Sequence, residues 1–283
     1  MGERIAICLG SSLLGHYAHC GFLDAFDQAG VTPVKVAGSS AGALAGALWC
    51  GGLRGEALLD EICTLNFRRS FFDLFAPLRL PGVITWSYAN GILGGNRMKK
   101  RLARLLGDRR IEDLKGPDLQ IAVANLTRRR SELRTEGPLV EFVLASLSLP
   151  LLYRARQIDG DWYVDGGVAN EQPFIQWLGD PEVETVLVHR VRYPIAPPER
   201  FSPAAVMGVC HAIPNAELWE QRRELAEASG KKVVFLDTNL PAQKIFHRAA
   251  DARMRIEAGR ETARQWLEAG SGTPSPRGEP MAY

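Results

Sequence analysis

The chain has 283 residues, 46% of them hydrophobic, and a formal net charge of +2 at neutral pH. This is enough apolar content for the core of an ordinary α/β domain. The near-neutral balance carries no electrostatic footprint for nucleic acid, and no apolar run approaches the ~20 residues of a membrane-spanning helix.

The N-terminus, Met1-Gly2-Glu3-Arg4, leads straight into an apolar run over residues 5–9 that is too short for a signal-peptide core. Residues 4–9 therefore read as a first buried strand. A helix over residues 15–29 follows, with Phe22, Leu23 and Phe26 as its apolar stripe. Residues 34–37 form a second strand, residues 41–52 a helix of small side chains, and residues 56–65 continue helically. Strand, helix, strand, helix in this order implies a parallel sheet covered on both faces.

From residue 70 to 107 the pattern loosens through Phe71, Phe72, Phe75, Pro77, Pro81 and Trp86. It recovers in a basic helix, Asn96–Leu106, with Met98, Leu102, Leu105 and Leu106 on one face and Lys99, Lys100, Arg101 and Arg104 on the other. That charged face is either ordinary solvated surface or a cap that approaches anionic lipid.

Strands resume at 119–125, with a hairpin through Arg128-Arg129-Arg130 to residues 133–135, and a helix covers Leu139–Ser146. Segments 153–158 and 162–164 flank Asp159-Gly160-Asp161, a hairpin turn signal. Residues 185–191 and 232–236 complete the buried strands, and 242–267 form a long charged helix. Residues 1–268 make one domain, and 269–283, rich in Gly, Pro and Ser, a flexible tail. Cys8, Cys20, Cys50, Cys63 and Cys210 are odd in number, lack CxxC spacing and lie mostly in apolar stretches. They read as free thiols in a reducing cytoplasm.

The chemistry begins at Ala37-Gly38-Ser39-Ser40-Ala41-Gly42, which holds G-x-S-x-G centred on Ser40. A strand that reverses here into a helix places Ser40 at a strained apex, with Gly38 and Gly42 crowding each other. The helix N-terminus stabilises negative charge developing beside the serine. The second element is Val164-Asp165-Gly166-Gly167, an aspartate at a strand end before two glycines. Alone it marks a turn; beside an elbow serine it supplies a carboxylate on a tight loop.

Together these elements resemble the patatin-like phospholipases. Ser40 and Asp165 look like that family's catalytic pair. Ala145-Ser146-Leu147-Ser148-Leu149-Pro150 is similar to its A-S-x-x-x-P block, and Asn170 and Pro173 match residues after its D-G-G. The resemblance covers residues 5–173. It implies a three-layer α/β/α sandwich around a mostly parallel sheet, with Gly38, Gly42, Gly166 and Gly167 as motif glycines. It also implies a serine lipid acyl hydrolase that works through an acyl-enzyme, without metal or cofactor, on a lipid or acyl ester, in the cytoplasm or peripherally at a membrane. The backbone N–H groups of Gly10, Ser11 and Ser12 are its expected oxyanion hole.

One stretch departs. The family's loop reads G-G-G-x-[RK]-G, whereas here it is Gly10-Ser11-Ser12-Leu13-Leu14-Gly15. Serine in place of glycine is expected to bear the cost of positive φ, and Leu14 removes the basic side chain. Two other readings stay open: a catalytically silent scaffold that binds lipid or protein, and a Ser-His-Asp esterase using His189, at the end of its strand.

Overall fold

The computed structural model of the chain describes residues 3–73, 76–85, 90–194, 203–241 and 249–270. Its first part alternates regularly: β1 (Ile5–Leu9), α1 (His16–Gln28), β2 (Lys35–Ser39), α2 (Ala41–Cys50), α3 (Gly55–Cys63) and α4 (Leu65–Ser70). Then come α5 (Ala76–Ile84), β3 (Gly91–Leu93), α6 (Asn96–Leu106), β4 (Asp118–Asn125), β5 (Arg130–Arg134) and α7 (Leu139–Ser146). The short strands β6 (Leu151–Tyr153), β7 (Arg156–Ile158) and β8 (Asp161–Asp165) precede β9 (Thr185–Arg192), α8 (Pro203–Ala228), β10 (Lys232–Asn239) and α9 (Ala249–Ala269).

The main sheet runs β10-β9-β1-β2-β4-β8-β7, with β5 also paired to β4. The five strands from β10 to β4 are parallel, and β5, β7 and β8 add antiparallel pairs. Side chains alternate across β1. Ile5, Ile7 and Leu9 join the larger core, with Phe22 and Phe26 of α1, Leu44 and Leu48 of α2, and Ile256 of α9. Ala6 and Cys8 face the opposite core, with Phe174, Trp177 and Trp219 of α8. Apolar residues on both faces of one strand require cover on both sides, which gives the three-layer α/β/α arrangement around a mostly parallel sheet.

Local differences from the sequence reading have physical causes. Residues 153–158 do not form one strand: Tyr153 ends β6, which pairs with β3, and Arg156 opens β7, which pairs with β8. The Asp159-Gly160 turn joins β7 to β8 with both residues at positive φ, 50° and 88°, the geometry that fits a two-residue hairpin. Helices α5 and α8 were not anticipated. Among the cysteines, Cys8, Cys20 and Cys50 are buried, but Cys210 is exposed on α8. Phe75, Trp86, His247 and the tail from residue 271 lie outside the described residues.

Candidate active site

Sheet register brings Ser40 and Asp165 together. Strand β2 runs parallel to β4 and ends with Ser39 opposite Ala122. Strand β8 runs antiparallel to β4 and ends with Asp165 opposite Val123. Because β5 occupies the other edge over Ile121–Asn125, β2 and β8 lie on the same edge and meet end to end at consecutive residues. Their first post-strand and last strand residues are Ser40 and Asp165, 125 positions apart in sequence.

Ser40 sits between β2 and α2 at φ 52°, ψ −116°, a conformation that costs a non-glycine residue about 1–3 kcal/mol. Crowding enforces it: a Cβ on Gly38 would lie 2.4 Å from the Gly42 carbonyl carbon, and one on Gly42 would lie 2.1 Å from the Leu9 oxygen. The Ser40 N–H donates to Ser146 Oγ at 2.9 Å, and that hydroxyl donates to the Ala122 carbonyl at 2.7 Å. The strained turn is thus pinned to β4 through α7.

Ser40 Oγ donates to Asp165 Oδ2 at 2.7 Å, and the Gly167 N–H donates to Asp165 Oδ1 at 2.7 Å. The Asp165 N–H is held by the Ser148 carbonyl at 3.0 Å. Gly166 packs against β4 so closely that a Cβ would fall 2.2 Å from the Ala122 oxygen. Asp165 is buried. Burial pushes its carboxyl up to about 7, partly opposed by the bonds from Ser40 and Gly167.

A second acid, Glu171, lines the same cavity and was not singled out from the sequence. Burial is the main cause lifting it to about 7, and the charge of Asp165 adds to the lift. Its signal was the acidic residue between the two positions, Asn170 and Pro173, that matched the family pattern.

The Gly10–Gly15 loop differs from expectation in two ways. Gly10 N–H donates to the His189 carbonyl at 3.0 Å and Ser11 N–H to the Glu171 carbonyl at 2.8 Å. Both groups are therefore engaged by backbone carbonyls, whereas the resemblance implies donors free to meet an oxyanion. Ser11 and Ser12 do line the cavity, and Ser12 Oγ is buried with no hydrogen-bond partner among the described residues. The positive φ expected of a serine is instead borne by Leu14, at 57°.

His189 is not beside Ser40. Its Nδ1 lies 2.9 Å from His19 Nδ1 and its Nε2 lies 2.8 Å from Thr238 Oγ1, while His19 Nε2 lies 2.9 Å from the Gly10 carbonyl. A carbonyl only accepts, so His19 carries its proton on Nε2. His189 then donates through Nδ1 and accepts the Thr238 hydroxyl proton on Nε2. Burial holds His19 down to about 4, and His189 is also pushed well below the usual imidazole range. The chain of neutral rings braces the loop from below, a role the sequence did not suggest.

The cavity above Ser40 has a volume of about 620 Å³. Its walls include Tyr17, Phe71, Met98, Leu144 and Leu152, with Ser40 and Asp165 at the surface of the same space. The aromatic segment after residue 70 contributes Phe71 and Phe72. Among the described residues no group of three or more His, Cys, Asp or Glu side chains could hold a metal ion, and no helix is long and apolar enough to cross a membrane. On α6, Lys99 pairs with Glu141 and Arg101 with Glu61, so half of its basic face is neutralised within the chain.

Comparison with known proteins gives a family model, patatin-like phospholipase, matching residues 10–176. An uncharacterized NTE family protein of Mycobacterium bovis is 29% identical over 176 residues, covering 62% of this chain and 46% of that protein. Neuropathy target esterase sws of Drosophila grimshawi is 31% identical over 178 residues, 61% of this chain and 11% of the esterase. The chain thus spans less than half the length of these relatives. Among solved structures, VipD from Legionella pneumophila aligns with 94% of this chain and 67% of its own at 15% identity, with a TM-score of 0.47.

Proposed function

The chain belongs to the patatin-like phospholipase family, and from that premise we propose that it hydrolyses lipid acyl esters with Ser40 as nucleophile and Asp165 as its base. The observation that carries this reading is the 2.7 Å bond from Ser40 Oγ to Asp165 Oδ2 at the wall of a largely apolar cavity.

Ser40 Oγ forms a bond to the ester carbonyl carbon as its proton passes to Asp165 Oδ2. The tetrahedral oxyanion lies within reach of the Ser12 N–H and of the Ala41 N–H, the first residue of α2, whose N-terminal dipole also favours negative charge. One such donor contributes about 3–4 kcal/mol to the barrier reduction. Collapse breaks the bond to the leaving alkoxide, which takes the proton from Asp165. Water then gives its proton to the same carboxylate, adds to the acyl carbon, and restores Ser40 as the fatty acid departs. A carboxyl held near 7 is far better matched to this exchange than one at the ordinary value of 3.8.

Phospholipids, lysophospholipids and acylglycerols all present the required ester, and the cavity volume suits one acyl chain. Labelling with a fluorophosphonate probe followed by peptide mapping tests the assignment. The expected outcome is modification at Ser40, absent in Ser40→Ala and Asp165→Asn and retained in His189→Phe. A folded chain that never labels would favour the silent scaffold, a reading encouraged by the engaged Gly10 and Ser11 N–H groups. Label lost in the His189 variant, with the fold intact, would point to a Ser-His-Asp enzyme.

A further inference from the structure

Helix α5 (Ala76–Ile84) is inverted relative to a helix packed on a soluble core. Its only charged side chain, Arg79, turns inward and donates to Asp73 Oδ2 at 2.7 Å and to the Ile92 carbonyl at 3.1 Å. Its leucines and isoleucine turn outward: Leu78 is 70% exposed, Ile84 67% and Leu80 43%. Helices resting on a core ordinarily show the reverse.

The helix is also fastened to the mouth of the cavity. Asp73 Oδ2, which holds Arg79, accepts the Gly94 N–H at 3.0 Å, and Leu93 and Gly94 line the cavity. Around that mouth Leu13, Leu65, Phe72 and Leu149 line the cavity and are nevertheless exposed. They come from three separate segments, so no single loop's sequence accounts for the apolar rim. Exposed apolar side chains gathered at the opening of a cavity mark an interaction site. Two cations, Arg69 and Arg154, are exposed at the same opening.

We propose that the outer face of α5 and this rim together dock on an anionic lipid surface, so that an acyl chain passes from the surface into the cavity without crossing water. The proposal rests on the reading of the cavity as an acyl-ester site. Outward leucines enter the acyl boundary while Arg69 and Arg154 meet phosphate headgroups, the division of labour expected of an interfacial helix. A lipid fits better than a protein partner because the apolar rim is continuous with the cavity wall, and a protein seated there would close the mouth. The half-neutralised face of α6 is not needed.

The test is flotation with phosphatidylcholine vesicles, with and without phosphatidylglycerol, run beside hydrolysis of a soluble short-chain nitrophenyl ester. The chain should float with vesicles containing phosphatidylglycerol. The double variant Leu78→Glu/Ile84→Glu should bind them at least about tenfold more weakly, from the apolar burial it forfeits, while hydrolysing the soluble ester at the unmodified rate. Equal flotation of variant and parent overturns the proposal. So does a parent that hydrolyses the soluble ester but floats with neither vesicle, or a variant that only dissociates an oligomer of the parent in sedimentation. If the parent hydrolyses no ester yet its flotation depends on Leu78 and Ile84, the docking face stands and the reading of the cavity falls.

Discussion

Asp165 must be both buried and basic, and the two demands set a pH window. Burial favours its neutral form, so the folded chain holds a proton up to about 7 that the unfolded chain releases near 3.8. The stabilisation is complete below 3.8 and is lost as pH rises toward 7, by about 1.4 kcal/mol per pH unit and roughly 4 kcal/mol in all. Asp165→Asn removes that dependence. Urea unfolding should therefore find the variant more stable than the parent at pH 8, with the gap closing as pH falls to 4. Activity runs the other way, because only the ionised carboxylate takes the Ser40 proton. The kcat/KM for a soluble ester should rise with pH around a midpoint near 7 rather than near 4. Glu171, lifted mainly by burial and further by the charge of Asp165, titrates in the same range. Glu171→Gln should sharpen the profile to one proton step with a midpoint no higher than the parent's.

Among the elements, the strained turn after β2 is tied to β4 by the Ser146 hydroxyl on α7. Ser146→Ala leaves the Ser40 N–H and the Ala122 carbonyl without that partner, a cost of about 1–3 kcal/mol. Thermal unfolding should shift by that amount, and kcat should fall more than KM changes, since Ser40 loses its fixed orientation. Much of this frame was legible beforehand. The strands and helices with clean period, such as β1, α1, α6 and α7, announced themselves, and so did the pairing of Ser40 with Asp165. Helix α8 did not, because Pro214 interrupts it and its apolar residues form no single stripe. Helix α5 was hidden by Pro77 and Pro81 and by an apolar face that looks outward. The direction of the Gly10 N–H and the His19–His189 contact depend on β9, about 180 residues downstream, and that of the Ser11 N–H on the Glu171 carbonyl, and no local pattern encodes them.

For the molecule as a whole, strand order matters more than chain order. Strand β1 is flanked by β2 on one side and by β9 on the other, and α9 packs against α1 with Ile256 and Trp266 in the shared core. A chain cut after residue 176 retains Ser40, Asp165, Glu171 and the whole loop from Gly10 to Gly15. It should nevertheless fail to label with a fluorophosphonate, and circular dichroism and solubility should report a chain that does not fold. Without β9, one edge of β1 is left unpaired, the Gly10 N–H loses its carbonyl acceptor, and His19 is left with an unmatched ring nitrogen. The stretch matched by the family model ends at residue 176, yet the first strand becomes an interior strand only when later chain returns to cover it. Family resemblance and cooperativity therefore draw different borders on this molecule, and shortening it to the matched part would discard the wall against which that part stands.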